Sequence, residues 1–178
     1  MTPTLSLRQA TPEDREAVRE AYARSADLHR PWTYPPADLD SYLSDPHRYF
    51  LCPDGERELL GTFHLSGIVR GYFQSAYLGY EAFAPHQGKG YMRTGMSLLI
   101  REAFSVLKLH RLEANIQPEN TASLRLAAGA GFVREGFSRH YLNVGNRGWR
   151  DHERWALLND AWMDPISDAL SPLPPDGQ

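Results

Sequence analysis

The stretch Tyr77-Leu-Gly-Tyr-Glu-Ala-Phe-Ala-Pro-His-Gln-Gly-Lys-Gly-Tyr-Met92 concentrates the residue types best able to bind a charged ligand in this 178-residue chain. Gly88 and Gly90 separate a β-type run from a long amphipathic one. A backbone that turns through glycines at a helix start aims several N–H groups at one point, and the helix dipole adds about half a positive charge there. Such a junction binds phosphate. Lys89, one of two lysines in the chain, adds a peripheral cation. Two familiar phosphate motifs do not fit. A P-loop needs glycine where Phe83 stands and Ser or Thr where Gly90 stands, and a dinucleotide fingerprint needs Gly or Ala at Arg93. A second group, Asn120-Thr-Ala-Ser123, puts an amide and a hydroxyl at the start of another helix that Gly131-Phe132 closes.

The elements that must position these residues follow from periodicity. Short strands are expected at 5–8 and 48–51, longer ones at 58–69 and 74–83, then 111–116, 132–144 and 149–158. Helices are expected from Thr11, with Pro12 and two acids in its first turn, to about Ser25, and at 37–43. The period of Met92, Met96, Leu99 and Ala103 predicts a helix over 88–108, and Asn120 caps another running to Ala130. Three prolines make Leu28 to Pro36 a loop. The order β, α, α, β, β, β, α, β, α, β, β predicts an α/β fold: antiparallel strands first, a β-α-β unit in the middle, one mixed sheet. Residues 1–162 read as a single domain and 163–178, with four prolines from Asp164 onward, as a peripheral tail.

Composition bounds the function. Lys+Arg 19 against Asp+Glu 22 gives a net charge of −3, so no global field draws the chain to nucleic acid or to an anionic membrane. Apolar runs are too short to span a bilayer, and Met1 to Arg8 is too short and polar for a secretory signal. A single cysteine, Cys52, forms no internal disulfide and follows a strand-like run that marks it as packing. A cytoplasmic location is the expectation. No histidine has metal-ligand spacing: His152-Glu153 has Ala156 where a zincin has its second His, so no metal is expected.

Taken together, the two motifs resemble the GNAT acetyltransferases. Gln87, Gly90 and Met92 occupy the family's Gln/Arg-x-x-Gly-x-Gly/Ala positions, and Asn120-Thr-Ala-Ser123 with Gly131-Phe132 its Asn-x-x-Ala/Ser pattern. Met92 departs from the small residue of the general pattern, as the Rim-type branch of ribosomal-protein N-terminal acetyltransferases also does. Leu28-His-Arg-Pro-Trp32 and Gly148-Trp-Arg-Asp151 also look Rim-type. The resemblance spans residues 5–160 and is strongest from Tyr77 to Trp155. It implies a GNAT fold, a mostly antiparallel sheet that splays between its fourth and fifth strands, and acetyl-CoA as acetyl donor. On that reading the backbone of Gln87, Gly88, Lys89, Gly90, Tyr91 and Met92 holds the diphosphate, and Glu81, Ala82 and Phe83 pair with the pantetheine arm. Asn120 and Ser123 then contact the arm near the thioester.

The same resemblance implies direct attack of a primary amine, with the Phe83 N–H as donor to the developing oxyanion. Many relatives carry a thiolate-protonating Tyr where this chain has Ala127, which leaves Ser123 as the candidate acid. His140, just before Tyr141, is the candidate base, with Glu81 and Asp151 as alternatives; Asp151 is otherwise a substrate-orienting group. Trp32 and Tyr34 are candidate walls of the acceptor channel. An α-amine near pKa 7.8 costs about 1 kcal/mol to deprotonate at pH 7, and a lysine near 10.4 about 4.6 kcal/mol. The expected acceptor is therefore a protein N-terminal α-amine, as in the ribosomal-protein enzymes. A small-molecule amine or antibiotic acetyltransferase, or a non-catalytic acyl-CoA-binding module, are the alternatives. The chain is expected to act as a monomer or homodimer.

Overall fold

A computed structural model describes residues 3–162. Seven strands form one sheet in the order β1-β2-β3-β4-β5-β7-β6. They are β1 (Leu5–Gln9), β2 (Arg48–Pro53), β3 (Gly61–Val69), β4 (Ser75–Ala82), β5 (Arg111–Ile116), β6 (Val133–Asn143) and β7 (Trp149–Leu158). Every pairing is antiparallel except β4 with β5, which is parallel and holds only over Ser75–Tyr77 against Arg111–Glu113. Beyond Tyr77 the two strands part. The mixed α/β sheet splayed between its fourth and fifth strands is therefore the observed architecture.

Strand alternation sorts side chains to two layers. On one face Leu51, Phe63, Leu78 and Leu112 pack beneath α4 (Tyr91–Arg101) and α5 (Thr121–Gly129), meeting Met96, Leu99 and Ala127. Gly95 lets α4 approach closely, since a Cβ there would drive into the Phe63 ring at 2.6 Å. The other face buries Phe50, Leu59 and Phe83 under Val18, Ala21 and Tyr22 of α1 (Arg15–Arg24) and Tyr42 and Leu43 of α3 (Leu39–Ser44). Cys52 lies buried in this second layer, and burial pushes its thiol pKa up, as packing requires. Asp14, 1% exposed, joins β1 to the start of α1 by accepting hydrogen bonds from Arg8 Nη1 and Nη2 (both 2.8 Å) and Arg57 Nη2 (2.9 Å).

Element boundaries shift for local reasons. The first helix opens as a 3-10 turn at Pro12–Asp14, and a short α2 (Ala26–His29) follows α1. The helix expected over 88–108 begins at Tyr91, because Gly90 sits at φ +83, outside helical geometry. It ends at Arg101 and loosens into a π turn over Glu102–Val106. The third strand starts at Gly61 rather than 58; Leu59 and Leu60 form a buried lead-in. The Pro-rich tail expected over 163–178 lies outside the described residues. No helix among the described residues is long and apolar enough to cross a membrane, and no cluster of metal-ligating side chains occurs among them.

Candidate active site

The split between β4 and β5 opens a cavity of about 450 Å3 that runs from β4 to the start of α4 and is bounded by α5. At its end nearest α4 lie Gln87, Gly88, Gly90, Tyr91 and Met92. Gly88 and Gly90 hold φ of +75 and +83, and a Cβ built on either would meet nothing within 4 Å, so the turn faces open space. The N–H groups of residues 87–92 have no acceptor among the described residues; the first amide to find one is Arg93, donating to Gly90 C=O at 3.1 Å. Arg93 and Arg125 line the same cavity and add positive charge, and His86, whose pKa burial lowers, lines it beside them. Lys89 is exposed and does not line it.

At the other end β4 presents an unpaired edge. The Phe83 N–H is not part of it, which corrects the expected oxyanion donor: that N–H donates to Leu60 C=O at 2.9 Å, and the Phe83 ring is wholly buried. A strand's N–H and C=O groups alternate between its two edges, so the Ala82 amide points the opposite way, into the split. The Ala82 C=O confirms this direction by accepting a 2.8 Å bond from His29 Nε2, a cavity residue outside the sheet.

Ser123 is where the motif puts it, in the first turn of α5, its N–H donating to the Asn120 cap at 3.1 Å. Its partner is a residue the sequence did not single out. Ser123 Oγ donates to Tyr80 Oη at 2.8 Å, and Tyr80 Oη donates to the Ser123 carbonyl at 3.2 Å. Burial pushes the Tyr80 phenol up to about 12, against the smaller opposing effect of the Ser123 bond. A tyrosine thus stands beside the serine although Ala127 is buried core. It comes from β4 rather than from α5. Asn120 keeps one carboxamide group for capping while the residue lines both this cavity and its neighbour.

A smaller cavity of about 190 Å3 continues through the split, with Glu81, Asn115, Gln117 and His152 on its walls. Glu81 lines both cavities; Thr33 Oγ1 donates to its Oε1 at 3.0 Å and its Oε2 is buried without a partner. Trp32 also lines both, its carbonyl accepting from Gln117 Nε2 at 3.1 Å. His152 is 3% exposed, and Nδ1 donates to the Arg150 carbonyl at 2.9 Å. Since a carbonyl only accepts, the ring's free lone pair is on Nε2. Burial lowers its pKa despite that bond, so the ring is neutral at pH 7.

Three expected residues lie elsewhere. His140 sits exposed, at φ +45, in an irregularity between Ser138 and Leu142 that turns it off the cavity. Asp151 accepts the His140 N–H at 2.7 Å and so fastens that bulge instead of lining the site. Tyr34 packs under Arg147, whose guanidinium lies 4.5 Å above its ring, and fills the space a Cβ on Gly145 would need. It buttresses the β6–β7 turn.

An amide-lined helix start, an open strand edge with one N–H aimed into the gap, and a hydroxyl pair across from it define the class. Such an arrangement suits acyl transfer from a long, extended donor that ends in an anionic group. The open glycine turn, the unengaged amides of residues 87–92 and the free β4 edge fit acetyl-CoA. The chain belongs to the GNAT family: the model of the acetyltransferase (GNAT) domain matches residues 4–133, and the protein is an acetyl-CoA-dependent N-acetyltransferase. It is 33% identical over 167 residues to the [ribosomal protein uS5]-alanine N-acetyltransferase of Escherichia coli, covering 84% of this chain and 86% of that one. It is 43% identical over 101 residues to the probable N-acetyltransferase YjcK of Bacillus subtilis, a match spanning 57% of this chain and 55% of that relative. Among solved structures, the ribosomal-protein-S5-alanine acetyltransferase of Vibrio fischeri superposes with a TM-score of 0.78 at 25% identity, covering 91% of this chain and 97% of that one.

Proposed function

We propose that the enzyme acetylates the α-amine of a protein N-terminus. The observation that carries this reading is the charge of the acceptor side: among the described residues, Glu81 is the one carboxylate lining the two cavities. A polyamine acceptor calls for several carboxylates along its path, whereas an α-amine brings one charge. The 33% identity to an enzyme named for a ribosomal-protein alanine supports the same class.

Acetyl-CoA supplies the activated acetyl thioester. The amides of residues 87–92 hold its diphosphate at the positive end of α4, and the β4 edge aligns the arm. The Ala82 N–H is aimed where oxygen gains charge as the amine nitrogen attacks. Glu81 lies beside the attacking nitrogen, and the neutral His152 receives its proton at Nε2. On the opposite face of β4, Ser123 and Tyr80 rotate their hydroxyls so that Tyr80 donates to Ser123 and Ser123 donates to the departing sulfur. A phenol near pKa 12 keeps its own proton against a thiol near 8.5, so this pair acts by hydrogen bonding and not by full transfer from Tyr80.

Free CoA thiol release tests the assignment with three acceptors at pH 7: a hexapeptide with a free N-terminal alanine, an N-blocked hexapeptide containing lysine, and spermidine. Lysine offers about 400-fold less free base than an α-amine at this pH. The free-alanine peptide is expected to exceed both others in kcat/KM by about 100-fold. Preference for spermidine or for the blocked peptide overturns the acceptor class.

A further inference from the structure

We infer that His29 is a positioning residue for acyl transfer: by occupying the Ala82 carbonyl it fixes where the thioester arm stops pairing along β4 and reserves the Ala82 N–H for the reacting oxygen. The inference rests on the acetyltransferase site described above but not on which amine is the acceptor.

The backbone of residues 82–84 leads out of the end of β4 toward the glycine turn, and the sheet does not support it on the side of the split. The corner between α1 and α2 supports it instead. His29 Nε2 lies 2.8 Å from Ala82 C=O, Ser25 Oγ accepts from the Ala84 N–H at 2.9 Å, and Arg24 Nε donates to Ala84 C=O at 2.5 Å. Ser25 is 0% exposed and His29 5%, so both bonds are shielded from water. The two side chains stand in for the missing β5 neighbour at Ala82 C=O and Ala84 N–H and leave the Ala82 N–H without a partner among the described residues.

His29 does more than hold the strand. A ligand arm that pairs along an open strand edge uses carbonyls and N–H groups in turn, every second residue. On β4 the edge facing the split carries the groups of Tyr80 and Ala82, because Phe83 faces β3. With the His29 ring standing 2.8 Å from Ala82 C=O, where the next donor of an arm along this edge would have to sit, an incoming N–H has the Tyr80 carbonyl as its last acceptor. The next group along the edge is the Ala82 N–H, left single and pointing into the cavity. That arrangement distinguishes one acceptor-free donor at one place, which is what stabilisation of a developing oxyanion requires. Because a carbonyl only accepts, His29 carries its proton on Nε2, and Nδ1 remains a buried lone pair without a partner. Its ring is fixed edge-on to Tyr22 and tilted on Phe83, at centroid distances of 5.4 and 5.8 Å.

Two substitutions separate the bond from the ring. In His29→Gln the amide nitrogen reaches the place of Nε2, whereas in His29→Asn it reaches only that of Nδ1. Steady-state kcat, KM for acetyl-CoA and calorimetric CoA affinity are measured on the full chain with the best amine found for the wild type. His29→Asn is expected to lower kcat by 10- to 100-fold with CoA affinity within twofold, since the diphosphate turn is untouched. His29→Gln is expected to stay within about threefold of wild type and to keep its pH profile, since the bond and not a titration is required. Equal loss in both variants, or wild-type kcat in His29→Asn, overturns the assignment. Should the variants lose structure by circular dichroism, long-range nitrogen NMR on the wild type decides: an Nε2–H tautomer at His29 supports it and an Nδ1–H tautomer overturns it. A wild type that acetylates some other amine better than an N-terminal alanine leaves this test intact while removing the proposed acceptor.

Discussion

Replacing Gly90 by Asp sets two measurable quantities against each other. Gly90 is the cap of α4 at φ +83, and a side chain there enters open space, so the substitution introduces no clash. An L-residue in the left-handed region costs about 1–2 kcal/mol, and an Asp in place of Gly at a helix cap returns only a few tenths. The fold is expected to lose about 1 kcal/mol. The ligand feels the opposite sign. A carboxylate about 5 Å from a diphosphate of about two negative charges repels it by roughly 2–3 kcal/mol at an effective dielectric between about 40 and 80. That corresponds to a 30- to 150-fold weaker CoA affinity, shrinking as salt is raised. Calorimetric titration of CoA into both proteins at low and high salt reads the effect, and thermal melting reads stability. A pantetheine thioester lacking the diphosphate serves as control and should bind both proteins alike. A folded Gly90→Asp protein whose CoA affinity stays within twofold of wild type refutes the placement of the diphosphate.

Other expected outcomes follow from single contacts. Ser123→Ala and Tyr80→Phe should each lower kcat about tenfold or more with CoA affinity unchanged, and the double variant should be no slower than Ser123→Ala alone, because the 2.8 Å pair acts as one unit; additive losses in single-turnover kinetics would contradict this. His140→Ala should leave kcat/KM within twofold, its side chain being exposed, while His152→Ala should lower it at least tenfold in the same assay. Asp14 carries a stability test. Burial pushes its pKa up, but the bonds from Arg8, Thr11 N–H and Arg57 outweigh this and hold it at about 2, below the usual 3.8. A depressed carboxyl contributes stability above its unfolded pKa and loses it as pH falls, here about 2 kcal/mol between pH 5 and pH 2. Urea unfolding of Asp14→Asn should show a deficit at pH 7 that narrows toward pH 2, and a pH-independent deficit would contradict it.

What could be read from the sequence were the features that are statements about backbone. Gly88 and Gly90 announce a turn and a helix start, and Asn120 announces a cap, so the open turn before α4 and the start of α5 were legible. The β-α-β segment between β4 and β5 likewise implied a parallel pair, the place where the sheet parts. The acceptor side was not legible, because it depends on which edge or face a residue presents. Phe83 and Ala82 are neighbours, yet only knowledge that Phe83 bonds to Leu60 on β3 tells which amide faces the split. Tyr80 and Glu81 alternate to opposite faces of β4, a pattern visible in the sequence, but Ser123 lies far along the chain from its partner Tyr80. His140 was misread because the irregularity between Ser138 and Leu142 breaks the alternation that would have sent it inward. His29 sits in a short helix with no motif of its own, and its meaning comes from a contact with Ala82.

The amide signals themselves test the account most directly. Hydrogen exchange of the nitrogen-labelled enzyme, resolved residue by residue by NMR with and without CoA or a non-transferable acetyl-CoA analogue, reports on each N–H in question. Binding should slow exchange at Gln87 to Met92 with either ligand, and at Ala82 with the acetyl-bearing one, while Phe83, already bonded to Leu60, stays unchanged. Protection confined to other segments, or none at Ala82 when the acetyl group is present, would contradict it.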